Sequence, residues 1–281
     1  MSDEKNIPPP IAPILCDKDF AAPSMFTPEN LLREARRQKQ LASLPIPEVC
    51  ILDPDGDIVR HLRTTNRARL LPDWACYHTE LYEFGADDTK CGIIGCAVGA
   101  AFAVLVAEEL FACGCELLIS VTSAGQLVEL QPPPYFIVIE RALRDEGTSY
   151  HYVAPAEYSV ADDALVRAAK KALSAAGIAI QAGGTWTTDA PFRETARAID
   201  AARRAGLLAV EMEAAALYAF ASARGKAVLC FAHVTNQMGR IEGDFGKGLA
   251  DGAEDALALI TAVASACRKA RPINSREPHF D

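Results

Sequence analysis

Two carboxylates separated by one residue, Glu211 and Glu213, follow directly on the apolar run Leu207-Leu208-Ala209-Val210 and precede Ala214-Ala215-Ala216. That order reads as a strand ending in two acids at the start of a helix. Such acids either complement the positive end of the helix dipole or, turned into a crevice, accept hydrogen bonds from a polyol such as ribose. A second segment, Thr148-Ser149-Tyr150-His151-Tyr152, sets an imidazole among hydroxyls, which suits contact with a substrate or with a second subunit. A third, from Asp189 to Glu194, puts a carboxylate and the Arg193 guanidinium on a loop before a helix. There Asp189 can cap the helix, and Arg193 can pair with Glu194 or Asp189 at the surface.

These residues need strands and helices to place them. Short apolar runs predict strands at 49–52, 92–98, 117–121, 135–140, 178–185, 207–210 and 227–234, and longer amphipathic runs predict helices near 100–113, 161–176, 193–205, 212–224 and 248–270. Gly114, Gly177, Gly206 and Gly225 stand where helix C-caps are expected. Thr27-Pro28-Glu29 gives a further helix start, running to about Gln40 with Arg33, Arg36, Arg37 and Lys39 toward its end. Strands rich in β-branched residues, separated by helices, imply an α/β protein: a three-layer α/β/α sandwich with a central mixed sheet. Ligands in such sheets gather at the carboxyl ends of strands, where the two acids lie. Residues 1–25, with Pro8-Pro9-Pro10, Pro13 and Pro23, read as a flexible arm, residues 26–270 as one domain, and 271–281 as a tail.

Composition narrows the partners. The 281 residues are half apolar and carry a formal charge of −9, a poor match for nucleic acid or an anionic membrane face. Residues 91–107 form an uncharged apolar or glycine stretch, but three glycines and the following Glu108-Glu109 favour a buried strand running into a packed helix over a membrane span. Nine cysteines occur without a C-x-x-C pair or zinc-finger spacing; Cys113 and Cys115 read as small buried hydrophobes. An odd thiol count beside a large core suits a reducing cytoplasm, and no export signal is read. No metal or organic cofactor is implied.

Three ordered motifs carry a resemblance. Val210-Glu211-Met212-Glu213-Ala214-Ala215-Ala216-Leu217-Tyr218 resembles the signature of the nucleoside phosphorylase/uridine phosphorylase superfamily. Arg144 to Tyr152, with Pro155 and Glu157-Tyr158, is similar to its uridine phosphorylase branch, and Thr185 to Glu194 to the T-T-D-A-x-x-R-E stretch of microbial members. Gly125 falls at a glycine-bearing strand end of the same family. The resemblance covers about residues 48–265 and implies a homodimer or hexamer that cleaves a ribonucleoside with inorganic phosphate. It also implies that Glu213 binds the ribose hydroxyls and that Met212 packs against the nucleoside. That role fits the chemistry: cleaving an N-glycosidic bond builds positive charge on the sugar, which a carboxylate stabilises. The departing base needs a donor, for which Arg193 is a candidate. Asn236 stands where purine-cleaving relatives place an acid; an amide donates a hydrogen bond but no proton at neutral pH, so adenine and hypoxanthine are disfavoured. Gln237 to Lys247, with Gly239, Gly243 and Gly246, reads as a mobile flap.

The phosphate cradle departs from the pattern. Where relatives place arginines, this chain has the turn Asp53-Pro54-Asp55-Gly56-Asp57, the segment His78-Thr79-Glu80, and Ser120. Thr122-Ser123-Ala124-Gly125 is closer to the S-A-G strand end of the methylthioadenosine nucleosidase branch, which uses water. Gly99 at a helix N-terminus, Ser123, and Arg60, Arg63 or Arg67 remain as anion ligands. Phosphorolysis therefore stands beside hydrolysis, and beside a non-catalytic nucleoside-binding or storage role on the same fold.

Overall fold

Aliphatic and β-branched runs become strands buried on both faces. The strands are β1 (Val49–Asp53), β2 (Ala68–Leu70), β3 (Tyr82–Ala86), β4 (Thr89–Gly95), β5 (Leu117–Gln126), β6 (Tyr135–Asp145), β7 (Tyr158–Val160), β8 (Gln181–Thr188), β9 (Leu207–Glu211) and β10 (Ala227–Asn236). The helices are α1 (Pro28–Lys39), α2 (Asp57–Thr64), α3 (Ala100–Ala112), α4 (Asp163–Ala175), α5 (Ala196–Arg204), α6 (Ala214–Arg224) and α7 (Ala253–Ala270). This computed structural model describes residues 11–238, 242 and 244–270.

All ten strands belong to one mixed sheet in the order β10-β6-β8-β9-β5-β1-β4-β3-β2, with β7 added to β6. Strand alternation sends successive side chains to opposite faces. On β1, Cys50 and Leu52 join the core under α3 and α6, while Val49 and Ile51 join the core under α2, α4 and α7. Strand β10 divides the same way, with Val228, Cys230 and Ala232 on the first face and Leu229 and Phe231 on the second. Two helical layers thus enclose the sheet, and each fully buried aliphatic side chain contributes about 2 kcal/mol. The stretch 91–107 divides into β4 and α3, and among the described residues no helix is long and apolar enough to cross a membrane.

Strand β5 organises the functional end. Its first residues pair with β1 as far as Ser120, its other edge pairs with β10 throughout, and beyond Ser120 Gly125 and Gln126 pair antiparallel with β9. The sheet thereby closes on itself through β5, β10, β6, β8 and β9, bringing the ends of β5, β9 and β10 together.

Several boundaries differ from the sequence expectation. Strand β8 starts at Gln181 rather than 178, because Gly177 takes φ +71 after α4 and Ile178 donates its N–H back to Leu173. The helix expected from 193 is a 3-10 turn, Pro191–Arg193, followed by α5, whose cap is Thr195 accepting from Ala198. The helix expected from 212 starts at Ala214, and that expected from 248 starts at Ala253 after a 3-10 turn. Thr27 caps α1 as expected, accepting from the Asn30 N–H.

Candidate functional site

Glu211 and Glu213 are both buried, at 2% and 1% exposure, yet their surroundings divide their tasks. Glu211 receives four donors. Thr185 and Thr187 hydroxyls reach Oε1 at 3.0 and 2.5 Å, and the N–H groups of Glu213 and Ala214 reach Oε2 at 2.7 and 2.8 Å. Four donors fill a carboxylate, so Glu211 braces the N-terminus of α6, whose N-cap position is Glu213, and has no acceptor position left for a substrate. Glu213 turns away from that helix. The Gly99 N–H donates to its Oε1 at 2.7 Å, and the Thr122 hydroxyl and Met212 N–H donate to Oε2 at 2.7 and 3.3 Å. One acceptor position stays open. Burial, and then the charge of Glu211, push the Glu213 pKa above the carboxylate range.

Gly99 brings the start of α3 onto this carboxylate. It has φ +89, and a Cβ placed on it meets no atom within 4 Å, so open space adjoins the Gly99–Glu213 contact. Met212 beside it is half-buried. Thr122 is the participant that sequence reasoning missed; its only signal was a hydroxyl pair, Thr122-Ser123, interrupting an apolar strand.

A second acidic group follows β1. Asp53 is buried and accepts the Val59 N–H at 2.9 Å, capping α2; burial pushes its pKa up to about 7. Ser123 donates its hydroxyl to Asp55. Lys247 reaches Asp57 at 2.5 Å and Asp55 at 3.5 Å, and Arg60 reaches Asp57 at 2.5 Å. Burial works against ionisation of Asp57, but the Lys247 and Arg60 bonds prevail and lower its pKa. Beneath this group His233 stacks on Phe136, ring centroids 4.5 Å apart, and burial, with the Lys247 charge, drives its pKa down to about 4.

The conspicuous motif around His151 is mostly occupied with holding itself together. Arg144 is buried, donates to the Ser149 hydroxyl at 2.8 Å and to the Ala154 and Val153 carbonyls at 2.8 and 3.3 Å, and lies over the Tyr150 ring. Asp189 accepts the Gly147 N–H at 2.8 Å, tying this loop to the end of β8 instead of capping α5. His151 is exposed and meets Lys18 at 2.8 Å, so the stretch around Lys18 lies against it; Pro8-Pro9-Pro10 lie outside the described residues. Arg193 is exposed and forms neither of the ion pairs considered for it among the described residues. The structure thus collects His151, Asp189 and Arg193 around the ends of β6 and β8, and Glu213, Gly99 and Thr122 around the ends of the neighbouring β9 and of β5.

Asn236 stands opposite Gly125 in the β10–β5 ladder. Its Oδ1 accepts the Met238 N–H at 2.9 Å and its Nδ2 donates to Thr235 at 3.2 Å, which fixes the amide. A Cβ on Gly125 would stand 2.6 Å from the Met238 sulfur, so the glycine admits that side chain. Of the expected flap, Gly239 and Gly243 lie outside the described residues. Its edges are tied down: Gln237 donates to Asp244 at 2.9 Å and Gly246 to the Thr235 carbonyl at 2.9 Å.

The sequence pattern of the phosphorylase superfamily matches residues 50–265, which reach from within β1 past the end of β10. The chain belongs to the phosphorylase superfamily. Among its superfamily relatives, a uridine phosphorylase of Thermococcus kodakarensis is 29% identical over 163 residues, 53% of this chain and 58% of that protein. A guanosine phosphorylase of Halorubrum lacusprofundi is 29% identical over 139 residues, 50% of this chain and 58% of that protein. The matches therefore span a little over half the length of these relatives. A crystal structure of uridine phosphorylase from Vibrio fischeri, complexed with 6-hydroxy-1-naphthoic acid, shares the fold at TM-score 0.67 and 22% identity, covering 83% of this chain and 99% of that one. Within this superfamily fold, the positions of the expected phosphate arginines hold the braced turn Asp53–Asp57, the exposed His78 and Glu80, and Ser120. The Ser120 hydroxyl is buried without a partner among the described residues.

Proposed function

We propose that this protein cleaves the N-glycosidic bond of a ribonucleoside by phosphorolysis, giving the free base and ribose 1-phosphate. One observation supports the reading above the others: Glu213 is a buried carboxylate held by the Gly99 N–H and the Thr122 hydroxyl, with an acceptor position left open. A ribose diol donates to that position, and the carboxylate favours the cationic character that develops on the sugar as the bond breaks. Met212 flanks the nucleoside, and Arg193 is the donor toward the departing base. His151 and Asp189 belong to the loop beside it. Because Asn236 is an amide already engaged on both sides, pyrimidine or modified nucleosides are preferred to inosine and adenosine. Nine free thiols suit a reducing compartment, and we place the enzyme in the cytoplasm, as a homodimer or hexamer in nucleotide salvage.

Hydrolysis is the second reading, favoured by the acids at the β1 turn, where Asp55 holds the Ser123 hydroxyl. A carboxylate there repels phosphate but accepts a proton from water. Base release from a nucleoside panel, with and without phosphate, decides between them. Phosphate-dependent release with ribose 1-phosphate as product supports phosphorolysis. Equal release without phosphate makes hydrolysis the reaction, and no release under either condition leaves a nucleoside binder.

A further inference from the structure

A cavity of about 590 Å³ is walled by α2, residues 78–80 and the end of β4. Arg60 and Arg63 line it from α2; their spacing of three residues puts both guanidinium groups on one face of the helix. His78, Thr64 and Thr79 add to the polar lining. Arg63 has no carboxylate partner among the described residues, and its guanidinium lies 5.0 Å from the centre of the Tyr82 ring. Arg60 spends one N–H group on Asp57 and keeps the rest of its fork. The carboxylate on the wall, Glu80, is turned to the Tyr82 hydroxyl at 2.5 Å. In a chain with a formal charge of −9, this is a local surplus of positive charge.

The cavity borders the turn that leads from β4 to Gly99. Cys96 lines the cavity, and Gly99, whose N–H holds Glu213, follows three residues later, a span of at most about 10 Å. His78 meets Phe102 edge-on in the first turn of α3, ring centroids 6.3 Å apart. The two strand-to-helix turns interlock here: the Cys96 N–H donates to the Asp53 carbonyl at 3.0 Å, and a Cβ on Gly56 would stand 2.6 Å from the Cys96 sulfur.

We propose that this cavity binds a phosphate dianion, held by Arg60, Arg63 and His78. The guanidinium fork matches the oxygen spacing of a phosphate group. The acids of the neighbouring turn explain its position: Asp55 and Asp57, bound to Lys247, exclude an anion from the turn itself and leave the next turn of α2 to receive it. The phosphate arrives as the inorganic ion or as the ester of a nucleotide substrate. The functional consequence rests on nucleoside cleavage at Glu213, whereas the binding does not.

Calorimetric titration of the full chain with inorganic phosphate, and with uridine 5′-monophosphate, tests this. Saturable binding of either, weakened about tenfold or more in Arg63→Ala and in His78→Ala, is expected. Absence of saturable binding of both, or binding indifferent to both substitutions, overturns the proposal. Base release separates the sources. Phosphate-dependent cleavage of uridine that slows in Arg63→Ala assigns the inorganic ion. Cleavage of the monophosphate in preference to uridine, without added phosphate, assigns the ester. Should Glu213→Ala retain full activity while Arg63→Ala still loses phosphate, the ribose role of Glu213 fails and the anion site stands.

Discussion

Two strand ends in this molecule present acids in the same order and use them to different effect. After β9, Glu211 turns back to hold the first N–H groups of α6 while Glu213 reaches the Thr122 hydroxyl; after β1, Asp53 turns back to hold the Val59 N–H of α2 while Asp55 takes the Ser123 hydroxyl. In each case the first acid is framework. The second acids differ in their company. Asp55 shares Lys247 with Asp57, so its charge is met within the fold. Glu213 has no cation partner among the described residues, and burial raises its pKa. The β1 end is a brace that has settled its own electrostatics. The β9 end leaves one buried carboxylate with an unmet acceptor, which is the state a ligand would complete.

Truncation should break this comparison most visibly. Glu211→Ala strands two threonine hydroxyls and two backbone N–H groups in a buried site. At about 1–3 kcal/mol for each unsatisfied group, the loss is a large part of the 5–15 kcal/mol or so that holds a typical domain. The variant should therefore fail to give a cooperative thermal transition by circular dichroism. Glu213→Ala removes a buried acid with fewer obligations. It strands the Gly99 and Met212 N–H groups and the Thr122 hydroxyl, so it should still melt cooperatively, at a temperature lowered less than in Glu211→Ala, while base release falls about a thousandfold. Normal melting of Glu211→Ala, or wild-type turnover by Glu213→Ala, would show that the division of labour between the two acids is misread.

Much of the fold was legible because its core strands are written in aliphatic runs. Strands β1, β9 and β10 and helices α3 and α6 fall close to where periodicity places them. The misses concentrate where the apolar pattern stops. Strand β5 was expected to end at 121, yet it continues through Thr122, Ser123 and Gly125 to Gln126, because its last residues leave the helical layers to pair with β9. Those polar positions supply the hydroxyls of both acidic ends, so the pattern fails at the residues that matter chemically. Helix α2 was not expected either: Pro54-Asp55-Gly56-Asp57 reads as a turn, and the eight residues from Asp57 to Thr64 owe their helicity to Asp53 and to burial of Ile58, Val59 and Leu62. The acids Glu211 and Glu213 were legible as a pair, but only the placement of Thr185, Thr187, Gly99 and Thr122, from three distant parts of the chain, assigns their separate tasks.

A narrower test concerns the base. Asn236 is held by Met238 and Thr235 at the mouth of the closed sheet, and its amide cannot protonate a leaving purine. Uridine should be cleaved at least about tenfold faster than inosine, and Asn236→Asp should narrow that gap by a similar factor. Rates are read from base release at equal enzyme concentration. Efficient inosine cleavage by the wild-type protein would dissociate Asn236 from base choice.

The smallest expected effect is a pH slope that differs in sign between the two ends. The Glu213 pKa is raised in the folded state, so above the ordinary carboxylate value the native protein holds a proton that the unfolded chain has released. Its contribution to stability is complete below about pH 4.5 and is lost as pH rises through the raised value. Asp57 is lowered despite its burial, by Lys247 and Arg60. Its contribution is present above the ordinary aspartate value and disappears as pH falls through the lowered one. Wild-type melting temperatures also contain the slopes of His233, lowered to about 4, and of Asp53, raised to about 7. Glu213→Gln leaves both in place, so the difference between the two proteins reports Glu213 together with its effect on the adjacent Glu211. From about pH 5 to pH 8 the glutamine variant should gain on the wild type steadily. A constant difference across that range would mean that Glu213 ionises at its ordinary value, and the poised carboxylate on which the comparison turns would be an ordinary one.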